Sequence, residues 1–380
     1  MIYLDYAATT PPDPAVVDAM WPYLREHYGN ASSLHAFGRA ARQAVDEARE
    51  AVAAALHADF ADVVFTSGGT EADNLAVLGA LRAAPANRDH LIVSAIEHPA
   101  VLRAADEAER LGFSVTRLKV DGEGRVSPDS LGEALTDRTA LVSIQHANNE
   151  IGAVQDIARL ARLAHERGAL FHADAVQSFP WLPIHVRGLE VDLLTISAHK
   201  VHGPKGVGAL FVRSGTPVAP LNVGGAQERE LRAGTENVPG IVGFGVAAKL
   251  LTMRREEDVP RVRALRDELI AGLHARVRDL RLNGPRDGRL PNIVNVSTPG
   301  VDGAALVLSL DRAGVAVSSG SACSSGAIEP SHVLQAIGLP RDLAASGLRF
   351  SLGRTTTLNE VQLAVDAFEV VVERLRRTKR

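Results

Sequence analysis

Residues 63–84, VVFTSGGTEADNLAVLGALRAA, predict a strand, a glycine turn and a helix in direct succession. The first four residues are β-branched or aromatic, which is typical of a strand. The segment from Glu71 to Ala84 is predicted to be a helix. Between them lies the turn Ser67-Gly68-Gly69-Thr70, where glycine lets the backbone approach an anion and the helix amides attract phosphate. This turn alone is a weak signal, because many helices begin this way without binding an anion.

The same alternation continues to about residue 212. Strands are predicted at 91–94, 113–120, 140–144, 169–172, 191–196 and 208–212, and helices at 100–111 and 157–167. This pattern indicates a mostly parallel sheet with helices on both faces. Because ligands bind such sheets beyond the carboxyl ends of the strands, polar residues at those ends are candidates for a functional site.

A different pattern begins near Met253. It comprises a charged helix at 254–278, a segment at 292–296, a helix at 303–313, a short strand at 348–351 and a last helix at 358–377. We interpret it as a smaller α+β domain. The predicted division is a large domain of residues 14–252 and a small domain of residues 1–13 and 253–380, which includes a cysteine loop at about 318–330.

The composition is that of an ordinary globular protein, with 46% hydrophobic and 23% charged residues. A net charge of −4 gives no electrostatic reason to expect nucleic acid or an anionic membrane as a partner. The N-terminus lacks the pattern of a signal peptide and no apolar segment reaches the ~20 residues of a membrane span. We therefore expect a cytoplasmic protein. A dinucleotide-binding fold is disfavoured because no G-x-G-x-x-G turn follows the first strand.

Lysine is rare, with five residues among 41 basic ones: Lys119, Lys200, Lys205, Lys249 and Lys379. Arginine cannot form a Schiff base, so a position that keeps lysine is a candidate for amine chemistry. Lys200 ends the segment Ser197-Ala198-His199-Lys200, directly after a predicted strand. A partly desolvated lysine there would bind an aldehyde cofactor. The alternative is an ordinary surface lysine, which is how we interpret Lys205.

Other strand ends hold residues that suit the same cofactor. Asp174 would pair with a pyridine nitrogen and Gln177 would donate to a ring oxygen, although an N-cap role for Asp174 is the simpler interpretation. His98 would stack on the ring or else be structural, and Asn149 would contact the ring oxygen or simply form a turn. Each signal is modest alone. Together they describe a pyridoxal 5′-phosphate site.

The chain has one cysteine, Cys323, within the segment SSGSACSSG at residues 318–326. A single cysteine excludes an intrachain disulfide and a multi-cysteine metal site within one chain. Small polar residues and glycines predict an exposed loop. From the segment alone, a nucleophilic thiol and an incidental thiol are about equally supported.

With these motifs the chain resembles the cysteine desulfurases, which are fold-type I, pyridoxal-phosphate-dependent enzymes of the class V aminotransferase group, and within them the NifS/IscS-like branch. The similarity runs from residue 3 to about 375. It is carried by residues 3–10 (YLDYAATT), 66–71 (TSGGTE), 148–152 (NNEIG), 172–177 (HADAVQ), 197–200 (SAHK), 232–235 (RAGT), 318–323 (SSGSAC) and 349–354 (RFSLGR). The resemblance implies a seven-stranded, mostly parallel sheet in the large domain.

The resemblance also implies a role for each candidate. Catalysis would involve Cys323, Lys200 and His98. The cofactor phosphate would be held by Gly69, Thr70, Ser197 and His199, with Thr235 reaching the phosphate of the neighbouring subunit of a homodimer. The ring would contact His98, Asn149, Asp174 and Gln177, and the substrate would bind Arg354, Asn30 and Asn149. Ala31 follows Asn30 where family members usually have proline.

The implied reaction converts L-cysteine to L-alanine and leaves the sulfur on Cys323 as a persulfide. A sulfur-acceptor protein would then take it, such as an iron–sulfur scaffold or a tRNA-thiolation protein. No resident metal is expected, although Cys323 would be able to ligate a cluster transiently. The alternatives are a selenocysteine lyase, another class V enzyme such as an aminotransferase, or a non-catalytic sulfur carrier.

Overall fold

The computed structural model describes residues 1–319 and 330–378. Its strands are β1 (Ile2–Tyr3), β2 (Val63–Thr66), β3 (His90–Ser94), β4 (Ser114–Leu118), β5 (Thr139–Ser143), β6 (Leu170–Asp174), β7 (Leu193–Ser197), β8 (Gly208–Val212), β9 (Arg281–Asn283), β10 (Ile293–Ser297), β11 (Val315–Ala316) and β12 (Gly347–Ser351).

The helices in the same part of the chain surround these strands. They are α1 (Pro14–Arg25), α2 (Ala36–Leu56), α3 (Gly69–Ala83), α4 (Pro99–Arg110), α5 (Pro128–Ala134), α6 (Ile157–Glu166), α7 (Val186–Leu189), α8 (Val238–Arg276), α9 (Gly303–Arg312), α10 (His332–Ala336), α11 (Arg341–Ala345) and α12 (Leu358–Thr378). None of these helices has an apolar segment long enough to cross a membrane.

Seven strands form the central sheet, in the order β2-β8-β7-β6-β5-β3-β4. All neighbouring pairs are parallel except the two that involve β8, which runs antiparallel to β2 and to β7. The predicted α/β fold with a mostly parallel seven-stranded sheet is confirmed. The strand ends that precede the candidate residues therefore lie along one edge of this sheet.

Alternate residues of each strand pack on opposite faces of the sheet. Val64 and Leu91 belong to an apolar cluster with α3 and α4, whereas Val63 and Ile92 belong to a second cluster with α2 and α6. Because both faces are covered, the central strands are apolar at nearly every position rather than alternating. This explains why they were recognisable in the sequence.

A third apolar cluster lies around the antiparallel sheet β12-β10-β9. The N-terminal segment joins it, because Ile2 pairs with Val315 and the buried Leu4 belongs to the same cluster. The predicted division into domains at residue 252 stays a prediction. The sequence predicted a helix at 254–278, but α8 begins at Val238 and joins two clusters. Phe244 belongs to the cluster with α2 and α6, and Leu269 to the cluster around β12-β10-β9.

Candidate functional site

Nine of the predicted residues line one cavity of about 390 Å³, which is within the ~300–1,000 Å³ range of small-molecule sites. They come from the ends of different strands, which the fold brings to one edge. These residues are Gly69, Thr70, His98, Asn149, Asp174, Gln177, Ser197, His199 and Lys200.

One end of the cavity fits a phosphate group. Helix α3 begins at Gly69, and no side chain in the described ranges caps this N-terminus. A Cβ at Gly69 would lie 3.0 Å from Cγ2 of Val176, so glycine leaves room for the close approach of the two turns. Ser197 Oγ is buried and has no hydrogen-bond partner among residues 1–319 and 330–378. A buried hydroxyl without a partner is unfavourable, and a phosphate oxygen would satisfy it.

His199 completes this end of the cavity. Its Nδ1 lies 3.1 Å from Thr9 Oγ1, and its backbone carbonyl accepts a hydrogen bond from Thr10 Oγ1. Burial lowers the pKa of His199 to about 4, and the charges of Lys200 and Lys205 act in the same direction. The ring is therefore neutral at pH 7 and can donate one N–H to an anion.

Asp174 and His98 also line the cavity. Asp174 Oδ1 accepts a hydrogen bond of 2.9 Å from Val176 N, and burial raises the pKa of this carboxyl. A pyridinium nitrogen beside it would favour the ionised form. His98 Nδ1 accepts from Ala100 N at 3.1 Å, so the neutral ring carries its proton on Nε2. Removal from water lowers the pKa of His98, although the charge of Asp174 opposes this.

Lys200 follows β7 in a short turn of 3₁₀ helix. Its Nζ donates to the carbonyl oxygens of Ala7 and Ala8, at 2.6 and 2.7 Å. Burial lowers the pKa of the amine to about 8, and the positive charge of Arg349 contributes in the same direction. A substantial fraction of the amine is neutral near pH 8, which is the form that attacks an aldehyde.

Gln177 lines the cavity but is already engaged. Its Nε2 donates a hydrogen bond of 2.9 Å to the carbonyl of Ala7, which is also an acceptor for Lys200. Gln177 therefore holds the N-terminal segment against the site, in addition to the proposed contact with a ring oxygen.

Arg349 lines the same cavity, and the sequence did not single it out as a site residue. Its Nη1 donates to Asn149 O and its Nη2 to Asp5 Oδ1, both at 2.9 Å. Its Nε is buried and has no hydrogen-bond partner in the described part of the chain. The sequence offered one signal, because Arg349 lies within the predicted strand 348–351. An arginine that is buried in such a strand requires a partner of opposite charge.

The predicted substrate residue Arg354 is elsewhere. It lines an adjacent cavity, and its Nη2 pairs with Asp13 Oδ2, which Arg254 also contacts at 2.8 Å. Lys200 lines both cavities, so the two are neighbours. The structure thus brings Arg349, and not Arg354, into the cavity with Asn149 and Asp174.

Three further predicted residues lie outside the cavity lining or the described ranges. Asn30 is exposed, and its Oδ1 accepts a hydrogen bond from Ser32 N at 2.8 Å. Thr235 is exposed as well. Cys323 lies outside the described residues, as does most of the predicted cysteine loop at 318–330.

Two buried carboxyl groups near the cavity were also missed. Glu97 accepts hydrogen bonds from Ser94 Oγ and Gln145 N, and burial raises its pKa to about 8. Asp73 lines the cavity at 1% exposure, and burial together with the charge of Asp174 raises its pKa. Because the negative charges of Asp73 and Asp174 would repel each other, a cation beside Asp174 would favour ionisation of Asp174 over that of Asp73.

The family model for class-V aminotransferases matches residues 2–363. The chain belongs to the class-V aminotransferase family. Enzymes of this family, including its cysteine desulfurases, depend on pyridoxal phosphate. The phosphate end of the cavity fits this cofactor, as do Asp174 and Lys200. The family expected from the sequence is confirmed.

Similar proteins include a curated cysteine desulfurase and solved structures of related chains. A cysteine desulfurase IscS of Dictyoglomus turgidum is 49% identical over 375 residues, covering 99% of this chain and 95% of that protein. A solved NifS-like protein has a TM-score of 0.92 at 36% identity, with 98% and 99% of the two chains covered. A structure of SspA in complex with cysteine has a TM-score of 0.83 at 36% identity, with 94% and 100% covered.

Proposed function

We propose that this chain is a pyridoxal-phosphate-dependent cysteine desulfurase. It converts L-cysteine and an enzyme thiol to L-alanine and an enzyme persulfide. The observation that carries this proposal is Lys200, a desolvated lysine in a cavity that also presents Asp174, the buried Ser197 hydroxyl and Arg349. The relatives named above supply the reaction.

When bound, pyridoxal phosphate supplies an electron sink that stabilises negative charge at the substrate Cα. Lys200 Nζ holds the cofactor and afterwards accepts the Cα proton, for which its pKa of about 8 is well suited. Asp174 keeps the pyridine nitrogen protonated. His98 carries a proton on Nε2 and can move it between the cavity and solvent.

Arg349 orients the substrate through its carboxylate. Its Nε has no partner, and of the four N–H donors on Nη1 and Nη2 the structure shows one on each nitrogen engaged, by Asn149 O and Asp5 Oδ1. The backbone carbonyl of Asn149 therefore contacts the arginine to which we assign the substrate carboxylate. We assign the carboxylate contact to Arg349, and a role for Arg354 at this contact would require it to leave Asp13.

Cys323 is the proposed sulfur acceptor. The substrate C–S bond breaks as a bond forms between the substrate sulfur and Cys323 Sγ, and the carbon that loses sulfur receives a proton. Atoms and electrons are therefore conserved in this step, and no external oxidant is required. The persulfide then passes to an acceptor protein.

We expect a cytoplasmic homodimer in which Thr235 reaches the phosphate of the partner subunit.

The test is to incubate the purified holoenzyme with L-cysteine, measure alanine and sulfide, and map the persulfide by mass spectrometry. Cys323→Ser should abolish alanine formation from L-cysteine while the cofactor absorbance remains. Retained turnover of selenocysteine by this variant, together with weak desulfuration by the parent, would favour a selenocysteine lyase instead. Protein that cannot be reconstituted with the cofactor would favour a sulfur carrier.

A further inference from the structure

The segment that precedes Thr235 contains a strained turn. Glu228, Arg229 and Glu230 have φ values of 44°, 55° and 66°. The left-handed conformation costs an L-residue about 1–2 kcal/mol, so three in succession persist only where the surroundings hold them. Such strain indicates that contacts with the rest of the protein fix the position of this segment.

Glu228 anchors this turn to the outer edge of the sheet. Its carboxylate accepts from Arg49 Nη1 and Nη2 at 2.7 and 2.6 Å and from Phe65 N at 2.8 Å, and both side chains are at most 4% exposed. Strand β2 ends the sheet, so Phe65 N has no neighbouring strand on that side. The strained turn is thereby fixed to the strand that leads into the glycine turn at residues 67–70.

Arg232 follows the strained turn and makes a second connection. Its Nε donates to Glu71 Oε1 at 2.8 Å, and Asn222 Nδ2 reaches the same oxygen at 3.1 Å. Glu71 Oε2 accepts from Ser67 N at 2.6 Å. Although burial would raise the pKa of Glu71, Arg232 and Ser67 hold it below its usual value, so the carboxylate is ionised.

Glu71 presents an electrostatic problem for a phosphate site. It lies in the first turn of α3, next to Gly69 and Thr70, where a phosphate dianion would bind. A carboxylate at a helix N-terminus competes with any other anion for the same positive field. The pairing with Arg232 cancels that charge.

We propose that Arg232 is a positioning residue of the phosphate end, which neutralises Glu71 so that the N-terminus of α3 keeps its attraction for the cofactor phosphate. The inference rests on the proposed use of pyridoxal phosphate. The strained turn and the buried Arg49–Glu228 pair then fix the place from which Arg232 reaches Glu71.

The test compares the binding of pyridoxal phosphate and of pyridoxal, which lacks the phosphate, to the apoenzyme. Arg232→Gln should weaken pyridoxal phosphate about tenfold, the size expected of one uncompensated nearby charge, and change pyridoxal by less than about twofold. Glu71→Gln should not weaken the phosphorylated ligand, and the double variant should recover most of the loss. Arg162→Gln is the matched control, because Arg162 also pairs with a glutamate, Glu190, but lies in α6, outside the strained turn and the phosphate end.

The outcomes separate the alternatives. Equal losses for the two ligands, a loss in the Glu71→Gln single variant, a double variant no better than Arg232→Gln, or an equal loss in Arg162→Gln would each overturn the proposal. Failure of the unaltered apoenzyme to bind either ligand would instead refute the proposed function.

Discussion

Replacing Arg349 with glutamine should separate substrate recognition from cofactor binding. Two of the five N–H donors of Arg349 are committed, to Asn149 O and to Asp5 Oδ1, so a substrate carboxylate would bind to those that remain, which include the unpartnered Nε. A hydrogen bond with charged partners contributes about 1.5–3 kcal/mol. This corresponds to a loss of about 10- to 150-fold in kcat/KM for L-cysteine.

The assay measures alanine formation at varied L-cysteine concentration, with a thermal melt and the cofactor spectrum to verify that each variant is folded and loaded. Cysteamine, which resembles cysteine without the carboxylate, is the matched ligand, and its binding should be nearly unchanged. Arg354→Gln is the matched variant, since Arg354 pairs with Asp13 in the adjacent cavity. A larger loss in Arg354→Gln than in Arg349→Gln, or an equal loss for cysteamine and L-cysteine, would refute this assignment.

Three further predictions follow from individual groups. In the apoenzyme, acylation of Lys200 should be half-maximal near pH 8, because burial lowers its pKa to about 8; a midpoint above pH 10 by peptide mass mapping would contradict this. Burial raises the folded-state pKa of Glu97 to about 8, so this group contributes stability below about pH 4.5 that is lost as the pH rises towards 8. In denaturant titrations at a series of pH values, Glu97→Gln should reduce the fall in the free energy of unfolding over this range. An unchanged dependence of that free energy on pH would count against a protonated Glu97. Glu230→Gly should raise stability by about 0.5–1 kcal/mol, because glycine adopts the left-handed φ of 66° without strain; a lowered denaturation midpoint would show that the side chain itself is needed.

The sequence predicted the sheet and its strand-end residues well, for a physical reason. Strands buried on both faces are apolar at nearly every position, so segments such as 91–94 were recognisable and the residues after them could be assigned to one edge. Helix α2 and the true start of α8 were missed. Apolar residues of α8 between Val238 and Leu251 join the cluster with α2 and α6, whereas those between Val262 and Leu273 join the cluster around β12-β10-β9. No single amphipathic stripe therefore runs the length of α8.

The different positions of Arg349 and Arg354 have a similar explanation. Both arginines lie in one short motif, five residues apart, and the sequence does not determine which of them the strand directs into the cavity. Register decides this: Arg349 pairs with Asn295 in the middle of β12, whereas Arg354 lies beyond the strand and reaches Asp13. Glu97 and Asp73 were missed because burial, which the sequence does not specify, is what makes their carboxyl groups unusual.

The N-terminal segment explains how two separate cores can share one site. Lys200 follows β7 of the central sheet, whereas Arg349 lies in β12 of the smaller sheet. Residues 5–8 connect the two: Asp5 accepts from Arg349, and the carbonyls of Ala7 and Ala8 accept from Lys200. Ala7 N in turn donates to the Oγ of Ser351, the last residue of β12, at 2.9 Å. One short segment contacts both cations, so it sets the distance between the amine proposed to hold the cofactor and the guanidinium proposed to orient the substrate. The motif at residues 3–10 is therefore part of the site, although none of its side chains was among the predicted site residues.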